Sequence, residues 1–116
     1  MIRAIRPAQL QDWLAACRAE DPQAQPIVLD VREPWEVQTA SVKPDGFELV
    51  AMPMSTVPAR LSELAQERPI ACLCHHGGRS AQVSYFLLNQ GYTEVVNIHG
   101  GIHAWSQEVD PSVPQY

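Results

Sequence analysis

The sequence is poor in lysine, cysteine and long apolar runs. Its 116 residues include one lysine, seven arginines and thirteen acidic residues, which gives a net charge of −5. That balance argues against nucleic acid or an anionic membrane as the main partner. No apolar run approaches the ~20 residues of a membrane-spanning helix, and Met1–Leu10 has no signal-peptide core. We therefore expect a cytoplasmic protein.

Only three cysteines are present, Cys17, Cys72 and Cys74, and an odd number cannot all pair within the chain. A chain of this length, 46% hydrophobic and 18% charged, can fold without disulfides or a structural metal. We therefore expect one domain over residues 1–116 with free thiols. The question is whether one of the thiols is reactive.

Short β-rich apolar runs alternate with segments of helical spacing. Ile27–Val31 and Ile70–Cys74 are apolar except for Asp30, which is typical of strands buried on both faces of a parallel sheet. The pattern predicts an α/β fold, with a mostly parallel twisted sheet of about five strands flanked by helices. Strands are predicted at 2–5, 27–31, 47–52, 70–74 and 93–98, helices at 7–20, 58–65 and 80–89 and after 100, and an extended surface tail at 110–116.

Cys74 lies where ligands bind in parallel sheets, at the carboxyl end of a strand that leads into a helix. Gly77 and Gly78 allow the intervening loop to curl and to turn its N–H groups inward, and Ser80 is a good helix N-cap. The helix N-terminus and Arg79 add positive charge. These features favour a Cys74 thiolate and would bind an anionic substrate or leaving group. Cys17 and Cys72 fit the core instead.

A metal site is the alternative interpretation of the same segment, because Cys72, Cys74, His75 and His76 are all zinc or copper ligands. Four ligands from five consecutive residues fit a tetrahedron poorly. His99 and His103 could join them only if the chain folds back. We therefore expect no metal and no cofactor.

Four motifs resemble one known family, the rhodanese-like sulfurtransferases. Cys74–Ser80 resembles the active-site loop C-x-x-G-x-R-S, and Asp30–Glu36 resembles the D-V-R-E-x-x-E signature. Leu87–Val96 and Gly100–Trp105 are similar to the family's L-x-x-x-G-[FY] and G-G-x-x-A-W stretches. The G-H-I-P-G-A motif common after the acidic signature is absent. The resemblance covers nearly the whole chain and implies a rhodanese-like fold.

The resemblance also implies a reaction, the transfer of sulfane sulfur from thiosulfate or a similar small anionic donor through a Cys74 persulfide. The acceptor would be a thiol, cyanide or a protein. Cys74 would be the nucleophile, the backbone of residues 75–80 the persulfide cradle, and Arg79 the clamp for the donor anion. Substrate-binding candidates are His75, His76, Gly77, Gly78, Arg79 and Ser80, although the two histidines are equally explained as solvated side chains without a role.

Two further points stay open at this stage. Asp30 and Arg32 either border the pocket or, as we favour for Arg32 with Glu36, fix the neighbouring loop by charge-assisted hydrogen bonds. The domain could also be a persulfide carrier or docking module with little free turnover. A phosphatase or arsenate reductase is disfavoured by the loop length that the resemblance implies. The related phosphatases have a C-x5-R loop, whereas Cys74 and Arg79 are spaced as C-x4-R.

Overall fold

The computed structural model describes residues 2–116. Its sheet has five strands in the order β1-β5-β4-β2-β3, and every pairing is parallel. This confirms the predicted α/β class and the number of strands. The strands are β1 (Arg3–Ile5), β2 (Ile27–Asp30), β3 (Glu48–Ala51), β4 (Ile70–Leu73) and β5 (Val95–Ile98); the α-helices are α1 (Leu10–Glu20), α2 (Pro34–Thr39), α3 (Gly78–Asn89) and α4 (Gly101–Glu108).

The sheet separates two apolar clusters because successive strand residues point to opposite faces. Val28, Ala71 and Val96 pack with α1 and α4, whereas Leu29 and Cys72 pack with α3. All residues of β2, β4 and β5 are buried, as the mostly apolar runs predict, and the buried set includes the polar residues Asp30 and Asn97. The predicted helical stripe of α1 is also buried, and it comprises Leu10, Trp13, Leu14 and Cys17.

One predicted helix is absent, and one helix was not predicted. Residues 58–65 form no α-helix; the region contains short 3-10 turns at Met54–Thr56 and Leu61–Glu63. Val57 has helical backbone, but Arg60 and Leu64 depart from helical geometry, and the turns still bury Val57 and Leu64. The sequence analysis also missed α2. Its signals were present, since Pro34 occupies the first turn and Glu33 forms a capping box with Glu36.

Parallel pairing brings the carboxyl ends of β2, β4 and β5 to one edge of the sheet. Asp30 is in register with Leu73, and Cys72 with Asn97. The loop after β4 therefore lies between the segments that follow β2 and β5. No helix within residues 2–116 is long and apolar enough to cross a bilayer.

Candidate active site

Cys74 follows β4 directly, and its side chain is directed into a small polar cradle. The residue is only 1% exposed. Its Sγ accepts hydrogen bonds from the Gly77 N–H at 3.1 Å and the Ser80 N–H at 3.4 Å. The Ser80 hydroxyl lies 3.3 Å from the same sulfur. Two N–H donors and one hydroxyl thus converge on one sulfur, an arrangement that stabilises negative charge there.

The turn from the loop into α3 differs from the prediction. Ser80 is not the N-cap; α3 begins at Gly78, and Gly77 is the cap residue with φ of +113°. This left-handed conformation suits glycine and lets the helix begin two residues earlier than predicted. Ser80 consequently lies in the first turn, where its N–H has no acceptor inside the helix and is available to Sγ. The α3 N-terminus thereby contributes its positive partial charge at the sulfur.

The Ser80 hydroxyl belongs to a buried hydrogen-bond chain that ends at Asn97. Asn97 Nδ2 donates to the Gly77 carbonyl at 3.1 Å, which fixes the amide so that Oδ1 accepts from Ser80 Oγ. A hydroxyl carries one proton. While that proton is directed to Asn97, the Cys74 thiol can donate to Ser80 Oγ; once the thiol ionises, the hydroxyl can turn and donate to Sγ. Ser80 and Asn97 together are therefore suited to both protonation states of Cys74.

The loop is held from the other side by the N-terminus of α4. The Ile102 N–H donates to the Cys74 carbonyl at 2.9 Å, and the His103 N–H donates to the His75 carbonyl at 3.1 Å. A Cβ at Gly101 would lie 2.4 Å from both carbonyl oxygens, so only glycine permits this approach. Gly101 therefore allows the N-terminus of α4 to contact the backbone of the Cys74 loop.

Arg79 lies at the site, but its charge is paired. Both terminal nitrogens of its guanidinium donate to the Glu36 carboxylate, at 2.7 and 2.9 Å. These bonds hold the pKa of Glu36 down at about 2, against the opposing effect of burial. The sequence analysis assigned a free cation to this position. The pocket is less cationic than expected, because Glu36 compensates Arg79.

Asp30 and Arg32 form a buried ion pair beneath the site, with side chains 1% and 0% exposed. All five guanidinium N–H groups of Arg32 have an acceptor. Two bind Asp30 at 2.9 and 2.6 Å, and the others bind the carbonyls of Glu36 and Ala40 and the Tyr116 hydroxyl. Neither side chain is accessible from solvent. Arg32 instead fixes α2, as the second interpretation held, but through Asp30 and backbone carbonyls rather than through the Glu36 carboxylate.

The end of the chain packs against the same loop. The Tyr116 ring stacks on the His75 ring, with centroids 3.9 Å apart and planes 5° from parallel. On its other side, Trp35 of α2 makes an edge contact with Tyr116 at 6.0 Å. Val113 is also buried. The prediction of an extended surface tail is wrong here, because these apolar rings find partners in the loop and α2.

The three cysteines differ as expected in environment, and all three are free thiols. Burial raises the pKa of Cys17 to about 11 and that of Cys72 to about 12, so both are inert core thiols at neutral pH. Hydrogen-bond donors at the sulfur distinguish Cys74 from them.

A cavity of about 410 Å³ near Pro26, Glu48 and Arg68 lies at the opposite edge of the sheet and includes none of the predicted site residues.

Four site residues were missed by the sequence analysis in these roles. Asn97 was detectable, since it is a polar residue inside the apolar run Val95–Ile98. Glu36 was noted, but not as the partner of Arg79. His103 and Tyr116 carry no local signal, because only the fold brings them to the loop.

Comparison with known proteins places these observations in a family. Residues 9–108 match the family model described as Rhodanese-like domain. The chain is 43% identical over 91 residues to the chloroplastic Rhodanese-like/PpiC domain-containing protein 12 of Arabidopsis thaliana, covering 77% of this chain and 30% of that one. It is 37% identical over 87 residues to a protein named Sulfurtransferase from Allochromatium vinosum, covering 75% of this chain and 78% of that one.

A solved structure agrees over almost the full length. The Rhodanese-like Domain Protein from Staphylococcus aureus superposes with a TM-score of 0.71 at 26% identity, covering 99% of each chain. This confirms the fold expected from the motifs. The chain spans less than a third of the length of the Arabidopsis relative.

Proposed function

This chain belongs to the rhodanese-like domain family, and on that premise we propose that it moves sulfane sulfur from thiosulfate or a similar anionic donor to a thiophilic acceptor through a persulfide on Cys74. We further propose that residues 1–116 act as one domain. The observation that carries the proposal is the convergence of the Gly77 N–H, the Ser80 N–H and the Ser80 hydroxyl on Sγ.

The reaction is a double displacement. The Cys74 thiolate attacks the outer sulfur of thiosulfate, an Sγ–S bond forms, and the sulfur–sulfur bond of the donor breaks so that sulfite leaves with the electron pair. A thiol or cyanide then attacks the terminal sulfur, and the Sγ–S bond breaks to regenerate the thiolate. Covalent catalysis of this kind divides one difficult transfer into two easier steps.

The cradle supports each step of this scheme. Negative charge on Sγ is stabilised by the donors already directed at it. The terminal sulfur of the persulfide would meet the N–H groups of Gly78 and Arg79, which as first-turn groups of α3 have no acceptor within the helix. Arg79 remains a candidate clamp for the donor anion, in competition with Glu36. His75 and His76 lie beside the cradle as neighbours of the nucleophile.

The test is cyanide-dependent thiocyanate formation with thiosulfate as donor. Cys74→Ser should abolish both thiocyanate and the sulfur adduct seen by mass spectrometry of the intact protein. Cys72→Ser is the matched control, since it removes a buried thiol from the same strand without touching the cradle. Activity that survives the loss of Cys74, or is lost equally in both variants, contradicts the proposal.

A persulfide carrier is the second candidate, and the Arg79–Glu36 pair favours it. A compensated cation recruits a free dianionic donor less strongly than the sequence analysis assumed. A partner protein would then deliver the sulfur directly. An adduct on Cys74 that forms with donor but releases no thiocyanate to cyanide supports the carrier, whereas rapid turnover supports the enzyme.

A further inference from the structure

Three imidazoles that are separated in sequence meet beside the Cys74 loop. His75 and His76 belong to the loop, and His103 lies in the first turn of α4. One ring nitrogen of each can be chosen so that all three lie within 4.8 Å of one another. Imidazole nitrogen is a ligand for zinc, copper and nickel, whereas magnesium and calcium prefer oxygen.

The backbone fixes two of these three residues relative to each other. The His103 N–H donates to the His75 carbonyl at 3.1 Å, and the adjacent Ile102 N–H donates to the Cys74 carbonyl at 2.9 Å. The close approach of Gly101 to the same carbonyls makes this junction tight. Such a junction holds His75 and His103 in place before any ligand arrives, which reduces the entropic cost of binding.

His75 supplies independent evidence for a ligand. Its ring lies between the rings of Tyr116 and His76, each with its centroid 3.9 Å away. Its Nε2 is buried and has no hydrogen-bond partner among residues 2–116. A buried polar atom without a partner costs free energy, and it commonly marks the place of an ion or an unseen ligand. A metal ion coordinated by this nitrogen would remove that cost.

His76 completes the set because it is exposed and its ring can rotate. Its centroid lies 5.1 Å from that of His103. Metal–nitrogen bonds of about 2.0–2.1 Å require the three nitrogens to draw closer together, and rotation of His76 supplies part of this movement. The sequence-based objection to a metal concerned four ligands from consecutive residues. It does not apply to a set in which α4 provides one ligand.

We propose that His75, His76 and His103 bind one transition-metal ion that prefers nitrogen ligands, such as Zn²⁺. The three imidazoles would leave one coordination position open. The Cys74 sulfur is outside the ligand set, so the site is distinct from the persulfide cradle. It links the catalytic loop to α4. This proposal does not depend on the proposed sulfur-transfer function.

The experiment is a Zn²⁺ titration of the full chain by calorimetry, after removal of any affinity tag. The wild type should bind one ion per chain. His103→Ala and His76→Ala should each weaken binding by at least about tenfold. His99→Ala is the matched control, because His99 is exposed and only four residues from His103, and it should bind like the wild type. His76 is exposed, so its variant keeps the test valid even if His103→Ala does not fold.

Two results would overturn the proposal. One is that the wild type binds no Zn²⁺, or that it binds Zn²⁺ with the same affinity as the His76 and His103 variants. The other is a Cys74→Ser variant that folds but no longer binds, since the thiol would then be a ligand. Co²⁺ loading provides a spectroscopic check, because imidazole coordination should give d–d bands without a thiolate-to-metal charge-transfer band.

The two proposals can be separated with one variant. Because Cys74 is outside the ligand set, Cys74→Ser should lose sulfur transfer and retain metal binding.

Discussion

The Arg79–Glu36 pair makes the stability of the protein depend on pH in a way that one substitution should remove. The pKa of Glu36 falls from 4.5 to about 2, chiefly because Arg79 donates to its carboxylate. At about 1.4 kcal/mol per pH unit, this corresponds to about 3 kcal/mol of stability at neutral pH. A third of the Arg79 side chain is exposed, so solvent screening reduces the expected value to about 2 kcal/mol.

The sign follows from the direction of the pKa change. A depressed carboxyl pKa contributes stability in full above pH 4.5, and the contribution is lost as pH falls towards about 2. Glu36→Gln has nearly the shape of the protonated acid. The variant should therefore be about 2 kcal/mol less stable than the wild type at pH 7, and the difference should shrink towards zero on acidification.

Urea denaturation from pH 7 down to pH 2.5 measures this difference directly. Glu63→Gln is the matched control, because Glu63 also makes a two-point contact with Arg60, but on the surface. Exposed pairs of this kind contribute little, so the control should follow the wild type throughout. A Glu36→Gln deficit that stays constant with pH, or one matched by Glu63→Gln, refutes the reasoning.

Other substitutions test the cradle and its support. Ser80→Ala removes the hydroxyl that contacts Sγ and should slow thiocyanate formation by about tenfold, the equivalent of one ordinary hydrogen bond, while Ser84→Ala, which removes a buried hydroxyl that donates to the Ser80 carbonyl, should have a smaller effect. Gly101→Ala should cost at least about 1–3 kcal/mol in urea denaturation, because φ is +60° and its Cβ would overlap two carbonyl oxygens. Gly78→Ala meets open space in the first turn of α3 and should be neutral or stabilising; an equal loss in both glycine variants would contradict this account.

The sheet was predictable because its central strands are buried on both faces. Ile27–Asp30 and Ile70–Leu73 are buried throughout, and apart from Asp30 they consist of apolar residues, a pattern that is visible in the sequence. The region after Met52 was not predictable in the same way. Its apolar residues fit helical spacing, yet the backbone leaves helical geometry at Arg60 and Leu64, and the segment forms 3-10 turns whose burial depends on tertiary packing.

The site likewise has features that the local sequence predicts and features that only the tertiary structure determines. Cys74 and the N–H groups that serve it lie in one short segment, so the local sequence describes the cradle. Glu36 neutralises Arg79 although the two are 43 residues apart in sequence, and His103 reaches His75 only because β5 pairs with β4. Such partners are set by strand order, and no spacing rule within the chain predicts them.

The hydrogen bonds between the N-terminus of α4 and the Cys74 loop also limit the order in which the fold can be completed during synthesis. The loop is encoded in the middle of the chain, yet Gly101 and Ile102 must be present before its carbonyls find their donors. β1 likewise waits for β5, the last strand made, before it has a neighbour in the sheet. A nascent chain that ends before residue 95 therefore contains Cys74 and its loop without Asn97 and without the α4 N–H groups that hold the loop, so the loop is fully supported only after those residues have been made.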